Sequence, residues 1–279
     1  MDTVPYAFVD STVGLLHHVK KLEDTRHIPK PWKSVLELYK KNLEEYDICI
    51  TVKDNKWRCS ILECSSEKHI SVSSLLEKNR KFIRCREINV FNHDTTENST
   101  KREILALIPF VAGQFYGHPA EITIRTISDT DLSTSIFRHL RNVETVRKLT
   151  VSYNGPDSED FIVHMLSTQK SLVLELQEKW PINIVKQWVQ STNLVRLSLV
   201  MCHDATFEIC QIALDRWRRT SGKNKFVIIG PMKFSFEVFQ QFPEVFAYAP
   251  DRVCFGNASF SQKLSIHRNQ YGFGRIETI

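Results

Sequence analysis

Residues 194–202, LVRLSLVMC, set Leu194, Leu197 and Leu199 in a short run that closes on Cys202. Residues 146–154, VRKLTVSYN, repeat the arrangement with Val146, Leu149, Val151 and Asn154. In an extended strand, alternate side chains share a face, so Leu197 and Leu199 point one way and Arg196, Ser198 and Val200 the other. An Asn or Cys at the close of the run offers a polar group to the backbone as the chain leaves the strand. Similar apolar runs recur at Ile122–Ile124, Leu149–Val151, Leu172–Leu174, Leu197–Leu199, Phe226–Ile228 and Val253–Phe255, with starts 27, 23, 25, 29 and 27 residues apart.

Helical patterns fill the gaps: residues 131–140, 157–166, 183–189, 206–217 and 235–242. A strand plus a helix at this period is the signature of a leucine-rich-repeat-like solenoid. The unit at Leu172 keeps the strand but carries Gln177 where Asn or Cys belongs, and the outer units keep the strand alone. An ordinary α/β sheet with crossover helices shares the parallel strands and the alternation. The near-regular spacing favours the solenoid. The predicted fold class is therefore α/β, with at least five short, mostly parallel strands over residues 119–257.

Outward from the array, the period changes. Ile48, Ile50 and Val52 alternate, then Trp57, Cys59 and Ile61, with Asp54–Asn55 between them as a hairpin turn. The polar stretch 92–101 has no apolar periodicity and is expected to be a loop and the internal boundary. Residues 4–43 read as helices, with Phe8, Val9, Val13, Leu15 and Leu16 in one stripe and Trp32, Val35, Leu36 and Tyr39 in another. Pro29 and Pro31 deny one continuous helix. The domains expected are 1–45 (helical module), 46–100 (connecting region with the hairpin) and 101–279 (strand-helix domain).

The 279 residues carry a net charge of +5, too diffuse a basic excess to suggest a dedicated nucleic-acid binder. Seven scattered cysteines, none in a CxxC pair, suit buried free thiols in a reducing compartment, cytoplasmic or nuclear. The opening residues have no signal-peptide character, and no window has the length of a membrane span. The sequons at Asn98 and Asn257 are accordingly expected to be chance matches. There is no phosphate-cradling glycine loop, nucleophile elbow or zinc-protease motif, so no enzyme, cofactor or metal is expected. The His17–His18 pair diverges on a helix and cannot chelate one ion. Cys202–His203–Asp204 invites a nucleophile reading, but sequence neighbours rarely meet a triad's geometry. Two basic clusters remain, residues 78–86 (KNRKFIRCR) and Arg216 to Arg219 at a helix end.

Pro5 after a branched residue, the stripe Phe8, Val9, Val13, Leu16, then Leu22–Glu23–Asp24 and Trp32–Lys33, resembles an F-box, with Val4 in place of the usual Leu. The opening and overall organisation resemble a nematode-expanded family of F-box-like proteins with an F-box-associated or leucine-rich-repeat-like C-terminal region. The specific likeness is confined to the first forty or so residues and the repeat template. The resemblance implies a non-enzymatic substrate-recognition subunit of a Skp1-cullin-type ubiquitin ligase. Pro5, Phe8, Val9, Val13, Leu16, Leu22 and Trp32 would then face, or support the face toward, a Skp1-like adaptor. A cytoplasmic repeat scaffold, its N-terminus merely a cap, is the alternative, and an RNA-binding protein using residues 78–86 is a third.

If the apolar alternates face the core, their neighbours line a concave target-binding face. The rows expected are Lys148, Ser171, Arg196 and Lys225; then Thr150, Val173, Ser198 and Val227; then Ser152, Glu175, Val200 and Ile229. Lys148, Arg196 and Lys225 would edge an apolar patch of Val200, Val227 and Ile229, as a protein-binding site requires.

Overall fold

The computed structural model describes residues 4–16, 19–22, 24–53, 56–91, 98–115, 120–256 and 262–279. His17–His18, Glu23, the Asp54–Asn55 turn, most of the polar stretch and Asn257 lie outside them. The chain forms two compact units, residues 1–146 and 147–279. It is a mixed α/β protein with an open sheet in each unit.

The first unit opens with helices α1 (Tyr6–Gly14) and α2 (Lys30–Asn42). Pro5 and Pro29 are their N-caps and Pro31 lies in the first turn of α2, where a missing N–H leaves no bond unmade. The prolines that break the segment before Trp32 therefore start its helix. Val9 and Val13 close against Val35, Leu36 and Tyr39, forming a small core of their own. Strands β1 (Glu44–Lys53), β2 (Lys56–Glu63) and β3 (Lys68–Ile70) follow, then the short helix α3 (Val72–Glu77), β4 (Ile83–Phe91), α4 (Lys101–Ala112), β5 (Ala120–Ile124) and α5 (Thr130–Leu140). Their order in the sheet is β5-β4-β1-β2-β3. The expected hairpin forms, with Ile50 opposite Cys59 and Ile48 opposite Ile61.

Strand β4, parallel to both β1 and β5, runs through the basic cluster. Ile83, Cys85, Ile88 and Val90 are buried along it, while its cations and those just before it find partners within the unit. Lys78 pairs with Glu44 at 2.8 Å, Lys81 with Asp10 at 2.6 Å and Arg86 with Asp47. The buried Arg84 guanidinium donates to the carbonyl of Gly14, and Arg80 stacks 4.9 Å over Phe110. Lys81 and Arg84 thus tether α1 to β4. A capping box starts α4: Thr100 Oγ1 accepts from Glu103 N at 3.2 Å, and Glu103 accepts from Thr100 N at 2.7 Å. Because β4 and β5 pair across the polar stretch, the division of the chain falls at Val146/Arg147 rather than near residue 92.

The second unit carries β6 (Val146–Ser152), α6 (Pro156–Thr168), β7 (Leu172–Gln177), α7 (Ile182–Val189), β8 (Leu194–Met201), α8 (Phe207–Arg219) and β9 (Val227–Pro231). Strands β6 to β9 are consecutive and parallel. Leu149, Val151, Leu174, Leu176, Leu197, Leu199 and Ile228 are buried on the helix-covered face. Arg216 of α8 is also buried, donating to the carbonyls of Val189 (3.2 Å) and Leu194 (2.7 Å) and stacking on Phe226. Burial pulls its pKa down to about 10. It binds the end of one helix and the start of the next strand, a structural task that its place beside Arg218 and Arg219 does not suggest.

The regular alternation stops after β9. Residues 236–239 make a single 3-10 turn instead of the expected helix over 235–242. A parallel return needs a crossover of a dozen or more residues, usually helical. The chain instead runs as an antiparallel meander: β10 (Val245–Ala249), β11 (Arg252–Phe255), β12 (Leu264–Arg268) and β13 (Phe273–Thr278), with β13 against β9. The run Val253–Phe255 is therefore antiparallel, a correction to the array as predicted. Gly274 in β13 admits Met232, whose sulfur would lie 2.1 Å from any Cβ there.

Leu197 is fully buried between Leu174 and Ile228. Leu197→Ala should lower unfolding free energy by about 2–5 kcal/mol in urea denaturation, as truncations in packed cores do. A loss under half a kilocalorie would contradict this packing.

Candidate binding surfaces

In the second unit, the sheet face opposite the helices is partly open. Paired residues set its rows: Lys148, Val173, Arg196 and Val227 form one, and Thr150, Glu175, Ser198 and Ile229 the next. The expected rows have the correct face but the wrong alignment. Ser171 and Lys225 precede their strands, so Val173 and Val227 stand beside Lys148 and Arg196 instead. The parity of strand alternation was legible; the stagger between neighbouring strands depends on how each loop delivers the chain.

Arg196 and Lys225 are exposed, Val200 is 37% exposed, and Val227 and Ile229 are half-buried. Lys148 is half-buried and pairs with Glu175 at 3.0 Å. Thr150 and Ser152 are buried, so the β6 end of the two outer rows is closed. Met201, beside Val200, is 70% exposed; its place just past the apolar run had concealed it. The C-terminal strands extend the sheet sideways, continuing the second row from Ile229 through Arg275 and His267 to Arg252.

The turns that follow the parallel strands are bonded to one another. Asn154 donates its side-chain amide to the Ser152 carbonyl at 2.9 Å, as its template position suggested. In the next unit Trp180, rather than Gln177, supplies the polar group: its indole N–H reaches the carbonyls of Gln177 (3.1 Å) and Val151 (3.3 Å). Its ring stacks edge-on against Tyr153 and Trp188, each 5.2 Å away. The His203 ring bonds the Trp180 carbonyl. Asp204 pairs with Lys233 at 3.0 Å, and burial pushes the Cys202 thiol up to about 11. Cys202, His203 and Asp204 are thus engaged separately and do not assemble a triad.

In the first unit, the seven residues singled out divide into two sets. Val9 and Val13 are fully buried and Trp32 is half-buried against their cluster. Pro5 is exposed, as are Phe8 (57%), Leu16 (41%) and Leu22 (36%). Phe8 meets Trp32 edge-on at 6.2 Å. Tyr6 and Leu15, exposed at 56% and 59%, enlarge the outward apolar surface. The sequence pattern puts Leu15 in the apolar stripe, whereas Tyr6 lies off it.

All seven cysteines are free thiols. Among the described residues, no group of three His, Cys, Asp or Glu side chains is placed to hold a metal ion, and no helix is long and apolar enough to cross a membrane. Comparison with family models, curated proteins and solved structures finds no match to the chain.

Trp180→Phe keeps the ring and removes the N–H that serves two carbonyls, one of them at a buried contact. It should cost about 1–3 kcal/mol of stability. Trp188→Phe is the comparison, because the buried Trp188 indole nitrogen has no hydrogen-bond partner among the described residues. Equal losses in the two variants, measured by urea denaturation, would show that Trp180 acts through packing alone.

Proposed function

We propose that this chain is a non-enzymatic substrate-recognition subunit of a Skp1-cullin-type ubiquitin ligase that holds a protein target on its second unit. The observation that carries the target-binding part is the partly open sheet face, where Arg196, Val200, Val227 and Ile229 present apolar area edged by charge. Such a patch is what a protein partner would cover. The second unit is read as a short leucine-rich-repeat-like solenoid, supported by its consecutive parallel strands, its helices on one face and its bonded turns. The meander would then be its terminal cap.

The adaptor-binding part rests on the N-terminal helices. A mere cap would turn its apolar residues inward, whereas Tyr6, Phe8, Leu15, Leu16 and Leu22 face outward while Val9 and Val13 hold the helices together. The family resemblance agrees with this division, since a docking helix needs both an inner and an outer apolar set. The RNA reading is weaker, because Lys78, Arg80, Lys81, Arg84 and Arg86 all have partners within the first unit.

Affinity purification of the full chain tests the proposal. A Skp1-like adaptor should co-purify with the wild type and be lost with Leu16→Asp, an exposed position whose change leaves the melting temperature in place. A folded wild type that never retains adaptor would favour the plain scaffold. Arg196→Glu with Ile229→Asp should release the target while the adaptor stays bound. Retention of every specific partner by this double variant would move the target site off the sheet face.

A further inference from the structure

Strand β10 stands last in the sheet of the second unit, so no strand pairs with its outer edge among the described residues. Exposed edges are normally blunted by charges, because unpaired N–H and C=O groups recruit another strand. Val245–Ala249 (VFAYA) carries no charge, and Pro243 and Pro250 bracket it. Phe246 is 53% and Tyr248 37% exposed there. Beside the strand lies a depression of about 370 Å³, lined by Phe246, Tyr248, Cys254 and Ile279 together with Arg252 and Lys263. Lys263 sits 4.7 Å over the Phe246 ring. Neither Arg252 nor Lys263 has an acidic partner among the described residues.

Arg252 also borders a second depression, of about 250 Å³, with His267, Arg268, Asp251 and Glu277. Glu277 is already paired with Arg275 at 2.6 Å, and Arg268 donates to the carbonyls of Met232 and Phe234. Of the cations around these two depressions, Arg252 and Lys263 are thus the ones left without a carboxylate or carbonyl partner among the described residues, and both border the depression beside β10. We infer that the β10 edge binds an extended, acidic peptide segment of a partner protein, which adds as a strand and places an apolar side chain in the depression beside Phe246.

Main-chain bonds to the edge would supply affinity, and the side pockets specificity. Charge separates this occupant from a second copy of the chain: two β10 edges brought together would also bring together two sets of Arg252 and Lys263. The depression's apolar lining and the unpaired backbone groups of the edge favour a peptide over a nucleic acid. This inference deepens the target-recognition reading and rests on it. It names the chemistry of the bound segment and a site reached along the row from Ile229 to Arg252.

Fluorescence anisotropy on the full chain tests it with three labelled synthetic peptides: alternating Glu and Val, alternating Lys and Val, and the Glu-Val peptide with every second amide N-methylated. The Glu-Val peptide should bind about tenfold or more tighter than either of the others, as strand addition beside unpaired cations requires. Arg252→Glu with Lys263→Glu, both exposed positions, should weaken it about tenfold or more without altering circular dichroism. Equal binding of the Lys-Val or N-methylated peptide, no binding of any peptide, or tighter binding of a labelled oligouridine overturns the inference. So does a concentration-dependent dimer that Phe246→Lys dissolves. If the Arg196→Glu, Ile229→Asp variant loses its cellular target while no peptide binds, the target-recognition reading stands and the β10 site alone falls.

Discussion

One row of apolar side chains runs across the second unit: Leu149, Leu174, Leu197, Ile228, Ile276, Ile266 and Val253, each paired with the next and each nearly inaccessible. Burial of this row beneath the helices is the constraint on which the rest depends. Side chains alternate along every strand, so committing these residues to one face commits Arg196, Ser198, Val227 and Ile229 to the other. The candidate target surface is therefore a geometric consequence of the core. Moving any strand by one residue would bury its charges and expose its leucines.

The backbone groups at the strand ends are satisfied by a second device. Asn154, Trp180 and His203 bond carbonyls within and between successive turns, and Arg216 does the same at the opposite ends of α7 and β8. A buried carbonyl without a donor is costly, so each repeat needs one such group, but not the same residue type. Trp180 shows the substitution: an indole three positions beyond Gln177 reaches the two carbonyls near the turn. In the first unit a cation does this, the Arg84 guanidinium bonding the Gly14 carbonyl at the end of α1. Lys81 and Arg84 draw α1 onto β4, which lets a chain with a mild positive charge spend much of its most basic segment on its own architecture.

Helices α1, α2 and α5 to α8 were legible because their apolar stripes and caps are local. Pro5, Pro29 and Pro31 act at helix starts, and the Thr100–Glu103 capping box is an equally local signal for α4, a helix not among those expected. Strand β4 was obscured because Arg84 and Arg86 flank its buried Cys85, so hydropathy averages along it resemble a solvated element. Phe8, Val9, Val13 and Leu16 read as one stripe, yet Val9 and Val13 turn inward while Phe8 and Leu16 turn outward. A helix nine residues long divides its apolar side chains between two faces, and only the position of the partner helix says which is which.

The sequence alone determined the alternation of strands and helices from β5 through β9, the core-facing residues of those strands and the parity of the open face. These follow from periodicities of two and 3.6 residues that any chain with this pattern must obey. The tertiary structure decided the stagger between rows, the reversal to an antiparallel meander after β9, and the pairing of β13 with β9 across more than forty residues of chain. It also decided which cations are consumed: Arg216 in the interior, Arg84 at the end of α1, with Arg252 and Lys263 left facing solvent. Such outcomes turn on contacts between residues far apart in the chain, where neither propensity nor spacing carries information.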